Sequence, residues 1–161
     1  MPTTSYAIAI GSNRRGRHGA PEREVAAAMR ALRGVVTASA IVSSAPLGPS
    51  IRRFANAVVT IETRETPPEL LARLKQIERA FGRRRGQRWG ARVIDLDIIS
   101  WSGGRWTARD LIVPHPAFRE RRFVLGPMRT IAAAWRDPVT GLTVRHLAYR
   151  AQAVDRRALR P

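Results

Sequence analysis

Apolar positions in this chain fall into short runs closed by Gly, Pro or Arg. Tyr6-Ala7-Ile8-Ala9-Ile10, stopped by Gly11-Ser12-Asn13, predicts a central strand ending in a turn. Residues 14–20 are basic and Gly-bearing, and read as a mobile loop. Pro21 suits the first turn of a helix. Val25, Ala28, Met29 and Leu32 follow at helical spacing, and Gly34 ends that helix. Residues 35–44, β-branched and small, predict a second strand, broken by Ala45-Pro46-Leu47-Gly48-Pro49. Phe54 to Thr63 predicts a third strand. Pro67-Pro68-Glu69 opens a second helix with the stripe Leu70, Leu71, Leu74, Ile77, Phe81, and Gly82 closes it. An Arg-dense loop covers 82–92, and Val93 to Trp101 predicts a fourth strand. Ser102-Gly103-Gly104 is a turn, and Leu111-Ile112-Val113 a short strand stopped by Pro114. Phe123 to Ala134 has helical spacing interrupted by Pro127, and the tail beyond Val144 predicts one more helix, rich in Arg.

The order is β-α-β-β-α-β, the split βαβ pattern of ferredoxin-like domains. It predicts an α+β fold, an antiparallel sheet covered by helices. The length of 161 residues fits one domain, and no repeat or composition break marks a second.

Composition narrows the function. The chain lacks cysteine, which excludes disulfides and Cys-ligated metal sites, and its three histidines make a multi-His site an unlikely reading. No apolar run approaches the roughly 20 residues of a membrane span. The N-terminus lacks signal-peptide character, so a cytoplasmic location is expected. The 29 Lys and Arg against 12 Asp and Glu give a net charge of +17, and Lys75 is the one lysine. Codon bias toward Arg is one explanation and a polyanionic partner another.

Position favours a site. In a strand, Asp95 and Asp97 project to one face while Ile94, Leu96 and Ile98 enter the core. Paired carboxylates on an apolar strand repel unless a cation joins them, and magnesium shared with substrate phosphates is the usual solution. Upstream lie Arg83, Arg84, Arg85, Arg88 and Arg92, with three glycines and Trp89. Arg on phosphate plus carboxylates on metal are the components of phosphoryl transfer. Lys75 sits mid-helix without flanking glycines, so no Walker A loop exists. His115 stands between Pro114 and Pro116, followed by Arg119, Arg121 and Arg122. His18 and His146 carry no signal of their own beyond a loop and a helix surface. Asn56, inside an apolar strand, needs hydrogen-bond partners that a heterocycle or the protein itself would supply.

Together these clusters resemble the 6-hydroxymethyl-7,8-dihydropterin pyrophosphokinase family. The motifs are Ile10-Gly11-Ser12-Asn13, Pro46-Leu47-Gly48, Phe54-Ala55-Asn56-Ala57, Ile77-Glu78, Gly82-Arg83, Arg88 through Asp97, and Val113-Pro114-His115-Pro116 with Arg121 and Phe123-Val124-Leu125. The resemblance spans about residues 6–135. It implies a ferredoxin-like domain that moves pyrophosphate from ATP to the pterin hydroxymethyl group, releasing AMP, with two Mg²⁺ ions. It implies that Asp95 and Asp97 bind the metals and, with Arg83 and Arg92, carry the reaction. It places Glu78, Arg83, Arg85, Arg88, Trp89, Arg92, Ile98, His115 and Arg121 around ATP. It places Ser44, Ala45, Pro46, Leu47, Phe54, Asn56, Asp95 and Phe123 around the pterin. The implied partners are these two small molecules, with no membrane and no nucleic acid, on a monomer. The chain departs from the family's usual pattern at Ala45 and Ala91, where Pro is common, and at Phe54, where Tyr is. Its loop after Asn13 is long and basic, with no role that the family supplies.

The competing reading is a basic nucleic-acid-binding module on the same fold. It calls for exposed aromatics on the strands, and Phe and Trp avoid the middle strands apart from Phe54.

Overall fold

A computed structural model describes residues 2–44, 53–82 and 92–158. The first strand, β1 (Thr4–Ser12), leads to helix α1 (Pro21–Ala31), strands β2 (Val35–Ala38), β3 (Val42–Ser44) and β4 (Phe54–Thr63), then helix α2 (Pro67–Ala80) and strand β5 (Asp95–Trp101). A two-stranded ribbon, β6 (Trp106–Ala108) and β7 (Leu111–Val113), follows. A 3₁₀ turn (Phe118–Glu120) and helices α3 (Arg122–Ala132) and α4 (Val144–Ala158) complete the order.

The main sheet runs β2-β4-β1-β5, with β3 also on β4, and every pairing is antiparallel. Alternation along β1 decides what covers it. Tyr6, Ile8 and Ile10 pack with Val25 and Ala28 of α1 and Leu70 and Leu74 of α2. The intervening Ala7 packs on the other face with Val58, Ile99, Val124, Leu125 and Met128, and with Val144 and Leu147 of α4. Large residues thus face α1 and α2, while small ones on β1 let α3 approach. Thr66 caps α2 in a capping box with Glu69, and Pro67 fits its first turn.

The strand expected over 35–44 is two strands. Ser39 Oγ accepts the Val58 N–H at 2.9 Å, while the Ser39 N–H donates to the Val58 carbonyl. A side chain therefore takes the ladder position of a main-chain carbonyl, and regular pairing resumes only at Val42 opposite Asn56. The fourth strand begins at Asp95, not Val93, and β6 was not anticipated. Pro127 does not interrupt α3. It lies in the helix's second turn, where its missing N–H removes one bond while the buried face continues through Met128.

Candidate active site

The register of the sheet builds the site. Gly11 of β1 lies between Asn56 of β4 and Asp95 of β5, and Ala9 lies between Val58 and Asp97. Asn56, Asp95 and Asp97 therefore share the face that α3 covers, beyond the end of that helix. Gly11 fits this row because a Cβ there would come within 3.1 Å of Asn56 Oδ1.

Two cavities meet at the carboxylates. The first, about 380 Å³, runs along α2, β5 and the β6–β7 ribbon. It gathers Glu78, Arg92, Asp95, Asp97, Ile98 and His115 from the sequence expectation. The second, about 640 Å³, opens between β1, β4 and the start of α3, and gathers Ser44, Phe54, Asn56, Arg92, Asp95, Asp97, Arg121 and Phe123. Arg92, Asp95 and Asp97 line both. Arg121, expected beside the nucleotide, lines the second cavity, at the boundary where its Nη1 stands 3.8 Å from Asp97 Oδ2. Ala45, Pro46, Leu47, Arg83, Arg85, Arg88 and Trp89 lie outside the described residues.

Like charges crowd at the junction. Burial, and then the charge of Asp95, push Asp97 up to about 6, with Glu78 adding to the rise and Arg121 and Arg92 opposing it. Arg92 Nη1 donates to Asp95 Oδ1 at 2.9 Å. Glu78, itself buried, accepts the Leu96 N–H at 2.9 Å and so ties α2 to β5. Among the described residues no three His, Cys, Asp or Glu groups converge as a closed metal site. Two carboxylates, one of them reluctant to ionise alone, fit Mg²⁺, which usually takes one or two carboxylates and completes its shell from water and substrate phosphate.

His115 is set by its backbone. The Val113–Pro114 bond is cis, the His115 N–H donates to the Ile99 carbonyl at 2.9 Å, and its Nδ1 accepts the Ala117 N–H at 3.1 Å. An accepting Nδ1 leaves Nε2 as the proton-bearing nitrogen of the neutral ring. Burial, and then the Arg121 charge, lower its pKa, with Asp95 opposing. His115 is thus a neutral hydrogen-bond donor near pH 7.

The second cavity has aromatic walls. Phe54 and Phe123 leave 37% and 51% of their surface exposed while lining it. Arg121 lies over the Phe123 ring at 5.7 Å. Exposed rings beside an Asn amide make a slot suited to a flat polar heterocycle.

Sequence reasoning missed Leu71, Lys75, Arg109, Asp110 and Ile112 in the first cavity. A signal existed for two of them, since Leu71, Lys75 and Glu78 fall at i, i+4 and i+7 on one face of α2. Arg109 and Asp110 lie in a tight ribbon turn with no periodic signal.

Several known proteins are similar to this chain. The 2-amino-4-hydroxy-6-hydroxymethyldihydropteridine pyrophosphokinase of Synechocystis is 41% identical over 63% of this chain and 52% of its own length. The Haemophilus influenzae protein of that name is 38% identical over 81% of this chain and 82% of its own. The match thus spans about half of the first relative and most of the second. In fold, the HPPK-DHPS protein of Plasmodium falciparum superposes with a TM-score of 0.74 at 13% identity, covering 97% of this chain and 42% of that one. The model of the 7,8-dihydro-6-hydroxymethylpterin-pyrophosphokinase (HPPK) family matches residues 7–133, which include both cavities' shared Arg92, Asp95 and Asp97. With a family match over most of its length, the chain belongs to the 7,8-dihydro-6-hydroxymethylpterin-pyrophosphokinase family.

Proposed function

We propose that this chain transfers pyrophosphate from ATP to 6-hydroxymethyl-7,8-dihydropterin, giving AMP and the dihydropterin diphosphate in folate synthesis. The observation that carries the reading is the meeting of a polar cavity and an aromatic cavity at Arg92, Asp95 and Asp97. A transfer reaction needs two substrates bound end to end at one charged junction, and this arrangement supplies it.

In this reading ATP occupies the first cavity, with its phosphates toward Arg92 and the His115 Nε2–H. The pterin occupies the second, between Phe54 and Phe123, with Asn56 and the backbone near Ser44 reading its polar edge. Asp95 and Asp97 would hold Mg²⁺, two ions in the family's pattern, and the metal would supply neutralisation of phosphate charge and polarisation of the phosphorus. The protein's own work is placement. Arg92 and Arg121 face the spreading negative charge, and the packed rings exclude water from the pterin hydroxyl. Glu78 fixes the strand that carries both aspartates.

The finer architecture belongs to the same proposal. The sheet order, and a βαββαβ succession once β2 and β3 are counted as one interrupted strand, support a ferredoxin-like arrangement, and the shared cores support one domain across residues 1–161. We propose a cytoplasmic monomer that acts on small molecules. Among the described residues no helix is long and apolar enough to cross a membrane.

The test is direct. The protein with ATP, Mg²⁺ and the dihydropterin is expected to release AMP in step with pterin consumption, read by chromatography. ADP in place of AMP, or no pterin-dependent AMP, rejects the reading.

A further inference from the structure

The long basic loop after Asn13 is built around a buried carboxylate. Glu24 of α1 is fully buried. A lone buried carboxylate costs several kcal/mol, roughly, so its partners matter. Its Oε1 accepts the His18 N–H at 2.6 Å, and its Oε2 meets His18 Nδ1 at 2.8 Å. Gly16 and Gly19 exchange main-chain hydrogen bonds at 3.0 and 3.2 Å, closing a tight turn that presents His18 to Glu24. Gly19 holds φ +127°, in the region that favours glycine. Gly16 is packed so closely that a Cβ would lie 2.6 Å from both Glu24 Oε1 and Val93 Cγ1.

The turn reaches toward the site at two points. The His18 ring lies on Phe81 at 4.9 Å, at the end of α2 one turn beyond Glu78. Asn13, at the loop's start, donates its N–H to the Arg92 carbonyl at 3.1 Å, and its Oδ1 accepts the Arg92 N–H at 2.6 Å. Gly16 against Val93 buttresses the next residue. Arg92 is one of the three residues common to both cavities.

We infer that His18 and Glu24 are positioning residues for the transfer, acting through Gly16 and Phe81 to fix Arg92 and the end of α2 that carries Glu78. The inference rests on the pyrophosphoryl-transfer reading for its kinetic consequence, but not for its structural one. Neither residue lines the two cavities of the site. Each acts by holding a side chain that does, and a loose support of a phosphate-facing Arg costs turnover without removing any binding group.

The experiment pairs kinetics with hydrogen exchange at the Arg92 amide in the full chain. His18→Ala is expected to lower kcat about tenfold, with the KM for the pterin nearly unchanged. It is also expected to speed Arg92 amide exchange about tenfold, because the Asn13 hydrogen bond loses its backing. His18→Asn, whose amide nitrogen can replace Nδ1 opposite Glu24, is expected to restore part of both. Made in an Arg92→Ala background, His18→Ala is expected to cost clearly less in kcat than in the parent, only the part carried through Phe81 remaining. Equal losses in both backgrounds overturn the proposal, as does an Arg92 amide that exchanges at the parent rate in His18→Ala. Should the unsubstituted chain release no AMP, the function reading fails, and the exchange rate alone then decides the positioning: faster exchange supports it and unchanged exchange overturns it.

Discussion

At Asp97 the folded chain holds a carboxyl group at about 6, against an unfolded value of 3.8. Below pH 3.8 it is protonated in both states. Between these values the unfolded chain ionises first, so the raised group favours the native state at low pH and that advantage is lost as pH rises through about 6. The side chain is a third exposed, so screening leaves a cost of about 1–2 kcal/mol rather than the full shift. Asp97→Asn is therefore expected to raise the Tm of the ligand-free protein by a few degrees, roughly, at pH 8, and to leave it nearly unchanged at pH 4. If Asp97 holds Mg²⁺ as proposed, turnover is expected to fall at least about a hundredfold. Calorimetry at the two pH values with an AMP assay checks both, and a lower Tm at pH 8 contradicts the electrostatics. The aromatic wall gives a separate test. Phe123→Ala is expected to raise the KM for the pterin about tenfold while that for ATP changes little, as loss of one stacking face would. Residue-scale placement was legible where type and spacing coincide, as for Asp95 and Asp97, which an apolar strand turns to one cavity-lining face. It was not legible at His18, whose partner and ring contact arise only when the turn folds over α1.

The elements that present His115 and Arg121 are held from a distance. Asp137, between α3 and α4, has a buried side chain that accepts from Arg119 Nε and Nη2 at 2.6 and 2.7 Å, from Thr140 Oγ1 at 2.7 Å and from the Val139 N–H at 3.0 Å. Burial alone would raise its pKa, but these bonds, led by Arg119, outweigh burial and bring it to about 2. Arg119 sits in the 3₁₀ turn, over the ring of the buried Phe118, and the Arg121 N–H donates to the Phe118 carbonyl. The pair thus anchors the segment between His115 and α3. A lowered carboxyl stabilises the native state above pH 3.8, and that contribution, about 2 kcal/mol, is lost as pH falls through about 2. Asp137→Asn leaves Arg119 half-buried without its counter-charge, and is expected to cost about 3 kcal/mol at pH 7. Urea unfolding checks this, and the gap between variant and parent is expected to narrow as pH falls toward 2. Strands and helices with regular apolar periods were readable from sequence alone. The Arg119–Asp137 pair was not, because it joins two segments without periodicity. The division of residues 35–44 was hidden for a related reason: Ser39 is a strand-compatible residue whose hydroxyl takes a main-chain bond only against its actual neighbour.

For the whole molecule, the charge of +17 divides by location rather than by count. Arg92 and Arg121 line the two cavities that meet at the aspartates, while Arg119 pairs with Asp137 and Arg122 with Asp155. Arg145, Arg150, Arg156 and Arg157 project from exposed positions on α4. At physiological ionic strength a surface charge is screened within about 8 Å, whereas charges in a low-dielectric cleft keep their effect on a bound anion. If capture of ATP depends on the cleft, replacing the four α4 arginines together by Ser is expected to leave kcat/KM for ATP within about twofold. Raising KCl from about 0.05 to 0.5 M is then expected to lower kcat/KM for ATP about tenfold in both proteins, with equal slopes, and to affect the pterin far less. A shallower slope in the α4 variant shows that the general field recruits the nucleotide. Strong binding of single-stranded RNA that disappears with the same four substitutions assigns the helix to a polyanion of a different class. Equal slopes with no such binding leave the α4 arginines without a part in catalysis and tie the basic excess that matters to the junction of the two cavities.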